Sequence, residues 1–307
     1  MHPAFSVIFC TVSSGAGFGL MAVAAVLSGL GGTRLDTRFV LAIGVLALFL
    51  AGLGLLSSLL HLGRPERAWR AVSQWRSSWL SREGLLALLT MPVAAFYFIG
   101  WAFFEWGAWL RLLGGGLLLL TALTVFATAM IYRGLKPVRQ WHHPLVPPIY
   151  VLLALMSGQL AWNAMAAPLG VAVASDGWLA AALCLAGLGL KLGYWRSIDR
   201  QQSVSTIASA TGLGRHGVVR AFDPPHTAEN YLQAEMGYRV ARKHAVKLRR
   251  IALLLGFVLP AGLSLAVPTF AAIPAFVLGL LGLLVERWLF FAEATHTAML
   301  YYGADGV

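Results

Sequence analysis

The feature that most constrains this 307-residue chain is a set of eight separate apolar runs, at about residues 5–30, 37–60, 84–104, 112–132, 146–168, 178–195, 251–267 and 270–291. Most reach the roughly 20 residues that a helix needs to cross a bilayer core. The runs are continuous, whereas a barrel strand alternates apolar and polar residues over about ten positions. Helices follow, because backbone groups facing lipid must be satisfied within their own segment. The expected fold class is an all-α membrane protein: eight transmembrane helices in a polytopic bundle, with a short interfacial segment after helix two and a longer cytoplasmic loop after helix six. Residues 1–307 read as a single integral membrane domain.

A formal net charge of +11 would suggest a nucleic-acid partner in a soluble protein. A mean hydropathy of +0.74 excludes an ordinary soluble domain, and the charge instead follows the membrane. Of the 23 Lys and Arg, all but Arg34, Arg38 and Arg111 lie on the side of the connections after helices two, four and six. By the positive-inside rule the N- and C-termini and the large basic loops are cytoplasmic. The first run begins directly after Met1-His2-Pro3 with no basic n-region, so it reads as a retained helix rather than a signal peptide.

The densest polar stretch is His61–Glu83, HLGRPERAWRAVSQWRSSWLSRE. From Pro65 it suits a short helix at the interface, with Pro65 in its first turn. Its Trp and Arg residues suit ordinary interfacial anchoring as well as partner contact. On helix five Gln159 and Asn163 share a face by their i,i+4 spacing. Both an interhelical hydrogen bond and a ligand contact fit that face. Gly15 and Gly19 on helix one form a GxxxG spacing for close packing.

Cys10 and Cys184 fall within spans as packing residues, and no CxxC or Cys/His cluster suggests zinc or iron–sulfur ligation. Bis-histidine haem needs two facing helix histidines, for which His61 and His296 are a remote pair. Helix interiors show no evident buried carboxylate or basic cluster near mid-bilayer, which argues against a secondary transporter. Glu286 and Arg287 lie near the cytoplasmic end of helix eight. The stretch 196–250, with ten Arg and Lys, is too short for a catalytic domain but long enough for partner docking. A transporter and a purely structural anchor remain the alternatives to a redox role.

His61-Leu62-Gly63-Arg64-Pro65 followed by Ala68, then Ser78-Trp79-Leu80-Ser81-Arg82-Glu83, and Tyr132-Arg133 closing helix four, resemble the membrane anchor subunit of the dimethyl sulfoxide reductase family. The likeness is closest to the branch serving cytoplasmic sulfite-oxidising complexes. The resemblance implies a bacterial inner (cytoplasmic) membrane and two partners: a molybdopterin catalytic subunit and a four-cluster iron–sulfur electron-transfer subunit. It implies membrane lipids around the chain and no nucleic acid. It also implies a quinone (ubiquinone or menaquinone) as cofactor, with no haem, iron–sulfur cluster or other metal in this chain and no residue catalysing sulfur chemistry.

The family's histidine near the end of helix two corresponds to His61, which is implied to meet the quinone headgroup and its protons. A histidine suits this, since its ring titrates near neutrality and can donate or accept. The alternative is a helix-end histidine that caps carbonyls. Arg64 is placed to stabilise a reduced headgroup or to meet lipid. Glu66 and Glu83 are alternative proton carriers. Arg82 orients the connecting segment or caps helix three. Tyr132 and Arg133 close another wall, and Gln159 and Asn163 are more distant candidates. If the partners dock on the basic loops, electrons pass from sulfite oxidation to quinone; quinol oxidation by a dimethyl sulfoxide reductase-like complex is the reverse alternative.

Overall fold

The computed structural model describes residues 4–31, 35–104, 107–171, 174–200, 205–220, 222, 240–266 and 268–302. Among them, eight helices are long and apolar enough to cross a membrane. Spans one to six are α1 (Phe5–Gly31), α2 (Thr37–Ser57), α3 (Trp79–Phe103), α4 (Gly107–Arg133), α5 (Val146–Ala166) and α6 (Ala174–Arg200). A short α7 (Ile207–Thr211) follows outside the spans. Span seven is α8 (Val240–Leu253), a π-helical turn (Leu254–Val258) and α9 (Leu259–Ala266); span eight is α10 (Pro268–Ala292). The all-α, eight-span expectation holds.

Several helices outrun their apolar cores, because a helix continues into the interface where polar side chains reach water. α3 starts at Trp79 rather than at residue 84. Glu83 is therefore a residue of the helix rather than the loop before it. The interfacial segment is a 3₁₀ helix (Pro65–Val72) with Pro65 in its first turn, preceded by a 3₁₀ turn (Ser58–His61) that extends α2. Residues 223–239 of the 196–250 stretch fall outside the described residues.

α1 and α5 form the centre. Buried residues make up 72% and 78% of their spans, against 33–56% for the other six. Small residues bring these helices together, as membrane packing requires. Any Cβ on Gly19 or Gly158 would run into the backbone of the facing helix, at Ala154 and at Gly19–Leu20 respectively. Gly17 and Gly54 play the same part between α1 and α2, against Ala47, Ala51 and Ser14. The close contact expected of the Gly15/Gly19 pair is made by Gly19 alone. Gly15 has no atom within 4 Å of where its Cβ would lie, and it lines a cavity instead.

Candidate functional site

The chain direction fixes which helix ends share a face. The N-termini of α1, α3 and α5 and the C-termini of α2, α4, α6 and α10 meet on the side of the basic connections. There, the Thr128 hydroxyl on α4 donates to Glu83 Oε1 on α3 at 2.6 Å and to the Thr124 carbonyl at 3.1 Å. One turn on from Thr128 lies Tyr132. Its ring stacks on Tyr150 of α5 at 5.8 Å and meets Trp141, Phe290 and Phe291 edge-on at 5.4–5.5 Å.

Beyond Tyr150 stands a fully enclosed ionic cluster. Arg287 donates to both oxygens of Glu286, from Nε at 2.5 Å and Nη2 at 3.0 Å. Lys191 on α6 pairs with the same carboxylate. Lys191, Glu286 and Arg287 are 1%, 0% and 4% exposed. Charges this buried persist only when paired and wrapped in polarisable groups. The wrapping is aromatic: Lys191 Nζ sits 4.4 Å from the Tyr194 ring centre, and the Arg287 guanidinium 4.2 Å from that of Tyr150. Sequence reading placed Glu286 and Arg287 near the cytoplasmic end of helix eight and looked for a charged cluster only near mid-bilayer; it did not anticipate their pairing with Lys191. Each charge comes singly or as a neighbouring opposite pair, on helices far apart in sequence, and pairing across helices leaves no periodic signal.

A cavity of about 30 Å³ lies between α1, α4, α5 and α10, with Ser14, Gly15, Thr128, Tyr150 and Arg287 in its wall. A second, apolar crevice of about 90 Å³ shares Phe18, Val125 and Ala154 with it and runs along α1, α4 and α5. Two turns nearer the basic face than Glu286, Arg249 bridges Glu293 (2.8 and 3.1 Å) and Asp199 (2.6 and 3.0 Å).

Of the candidates read from sequence, the structure gathers Glu83 and Tyr132 around Thr128. His61 ends the 3₁₀ turn after α2, and its side chain lies outside what the structure describes. Arg64 and Glu66 are exposed on the interfacial segment, Glu66 with Arg67 at 4.0 Å. Arg82 points back into the connection. It donates to the carbonyls of Trp75 (2.9 Å) and Arg76 (2.7 Å) and covers the Trp79 ring at 4.4 Å. The Arg133 carbonyl accepts from His142 Nδ1 at 2.5 Å. Gln159 and Asn163 lie away from this group, about 13 Å and more along α5 from Tyr150. Gln159 donates to Asn163 Oδ1 at 2.8 Å, and Asn163 donates to the Asp176 carbonyl of α6 at 3.0 Å. They tie helices together. Sequence reasoning gave no role to Thr128, Tyr150 or Lys191. A lone lysine inside an apolar run was the one signal that could have found the cluster.

No group of three or more metal-ligating side chains occurs among the described residues. The fold defines a polytopic all-α membrane protein with eight candidate spans among the described residues. The chain matches the family model for the DMSO reductase anchor subunit (DmsC) over residues 1–293, and it belongs to that family. It is also 37% identical over 329 aligned positions to a sulfite dehydrogenase subunit of Allochromatium vinosum, covering 98% of this chain and 99% of the relative.

Proposed function

We propose that this chain is the quinone-reactive membrane anchor of a molybdopterin/iron–sulfur oxidoreductase, passing electrons from sulfite oxidation to quinone. The observation that carries the reading is the end-to-end similarity to the sulfite dehydrogenase subunit of Allochromatium vinosum. The gathering of Glu83, Thr128 and Tyr132 at the basic face supports it. A quinone, when bound, accepts two electrons and two protons. The donor set suits its carbonyl oxygens: the imidazole of His61, the carboxyl of Glu83 and the hydroxyl of Tyr132 donate hydrogen bonds or protons.

In this reading the headgroup lies beneath the 58–83 connection. Arg82 holds that connection against α3, so it positions rather than contacts. Arg64 and Glu66 serve the rim or the partner, and Arg133 closes the α4 side. The cytoplasmic face, on the charge pattern, carries the iron–sulfur subunit and through it the molybdopterin subunit, with the 196–250 loop as part of the docking surface.

The test is the purified intact complex, assayed with sulfite and a soluble ubiquinone analogue, and separately with reduced menaquinol and dimethyl sulfoxide. His61→Ala and Glu83→Gln are each expected to lower sulfite-driven quinone reduction by about 100-fold, while sulfite oxidation with a redox dye stays intact. Menaquinol oxidation in its place reverses the direction of flow. Full quinone turnover in both variants removes these residues from the site. A complex that retains no redox subunits overturns the reading.

A further inference from the structure

The cavity between α1, α4, α5 and α10 has a chemistry that the quinone reading does not use. Its volume of about 30 Å³ has room for about two waters at roughly 10–15 Å³ each. Arg287 Nη1 and Tyr150 Oη belong to lining residues that are 4% and 7% exposed, and neither atom has a hydrogen-bond partner. The Tyr150 hydroxyl approaches the guanidinium without reaching hydrogen-bond geometry. Thr128 spends its proton on Glu83 and on its own helix, while Ser14 and Ser157 donate to the carbonyls of Cys10 (2.6 Å) and Leu153 (2.8 Å). The wall therefore offers two unpaired donors and several hydroxyl lone pairs. A molecule that both donates and accepts fits such a wall, whereas an apolar guest leaves the donors unpaired. Charge agrees. Lys191, Glu286 and Arg287 sum to one positive charge, which favours a polar guest over an apolar one.

We propose that this cavity is an internal water site that reprotonates Glu83. The proposal rests on the reading of Glu83 as a proton donor to the substrate. When the Glu83 carboxyl has lost its proton, the Thr128 O–H bond breaks as a Glu83 O–H bond forms. A new Thr128 O–H bond forms from cavity water, and that water's proton is replaced from the aqueous phase. No electrons move in these steps. Arg287 is a positioning residue. Held by Glu286, and through it by Lys191, its fixed charge draws the water oxygen toward Nη1 and turns the hydrogens toward Thr128.

The experiment uses the intact complex in lipid nanodiscs. A cryo-electron microscopy map fine enough to show ordered waters is expected to place density within hydrogen-bond distance of Arg287 Nη1 and Tyr150 Oη, and of Thr128 Oγ1. A dry cavity, or one filled by a lipid chain or a quinone ring, overturns the proposal. In parallel, Thr128→Val keeps the shape and removes the relay. It is expected to slow quinone reduction about 10-fold or more and to enlarge the ratio of rates in H₂O and D₂O. Thr128→Ser is expected to restore both. A valine variant with the wild-type rate and isotope ratio sinks this proposal alone. A wild-type complex that reduces no quinone sinks the function reading instead, while the map still decides the water site.

Discussion

Two connections on the basic face look alike in sequence and differ in structure. Both the 62–78 segment and the 134–145 segment combine basic residues with tryptophan, four Arg and two Trp in the first and Lys136, Arg139 and Trp141 in the second. The second is stitched into the bundle. Trp141 Nε1 donates to the Phe290 carbonyl at 2.8 Å, Tyr194 donates to the Gln140 carbonyl at 2.9 Å, and Gln140 exchanges hydrogen bonds with Thr295. Val138 pairs with His296 as an isolated antiparallel bridge. In the first segment Trp69 and Trp75 stand 67% and 49% exposed, each beside a neighbouring arginine. Its ties to the bundle include the Arg82 hydrogen bonds and the packing of Val72 near Gly84. Composition alone does not separate a cap from an open surface. What separates them is whether polar groups and rings find partners within the chain, and an open basic, aromatic surface is the one left for lipid or a partner subunit.

The sharpest way to break this contrast is a pair of tryptophan substitutions. Trp141→Ala is expected to cost about 3–5 kcal/mol, as for a buried aromatic. Trp69→Ala is expected to stay within about 0.5 kcal/mol, as for an exposed side chain. Denaturant or thermal unfolding in nanodiscs measures both, and equal losses would erase the distinction. Arg82→Ala tests the ties of the open segment. It is expected to cost about 1 kcal/mol, being only partly shielded from solvent, and to speed protease cleavage between residues 73 and 78. Unchanged cleavage would mean that other contacts hold the segment.

The smallest effect concerns pH and the stitched cap. The Leu145 N–H donates to His143 Nδ1 at 3.2 Å, so the neutral ring keeps its proton on Nε2 and donates it to Ser197 at 2.9 Å. Burial first, and then the charge of Arg133, hold the imidazole below its ordinary value of 6.5. The unfolded chain therefore binds this proton more readily than the folded one. The contribution to stability is complete above pH 6.5 and is lost as pH falls through the lowered folded value. His143→Gln is expected to flatten the acid limb of a plot of melting temperature against pH. An unaltered limb would assign that pH dependence to other groups.

The spans were legible because apolar run length is set by bilayer thickness, a constraint written directly into composition. Helix ends were less so. The apolar run of the third span starts near residue 84, yet its helix starts at Trp79, and that shift moves Glu83 from loop to bundle. Of the candidate site, Glu83 and Tyr132 were visible through motif resemblance, and the structure brings them near each other. Thr128 and Tyr150 were not, since a threonine or tyrosine in an apolar helix has the same appearance whether it packs or passes a proton. Lys191, Glu286 and Arg287 escaped for a related reason. Their pairing is a property of three-dimensional adjacency between α6 and α10, and no single run records it.

The Arg249 bridge has one more consequence. Asp199, at the end of α6, and Arg249, in span seven, are 50 positions apart yet meet at 2.6 Å. Among the described residues, the two ends of the long basic stretch between them are joined by this clasp, which Glu293 of the C-terminal segment also grips. Whatever shape the intervening residues take, a protein that holds them pulls on one knot joining three parts of the chain rather than on two independent threads. Such a knot keeps a force on that stretch from prying the sixth and seventh helices apart.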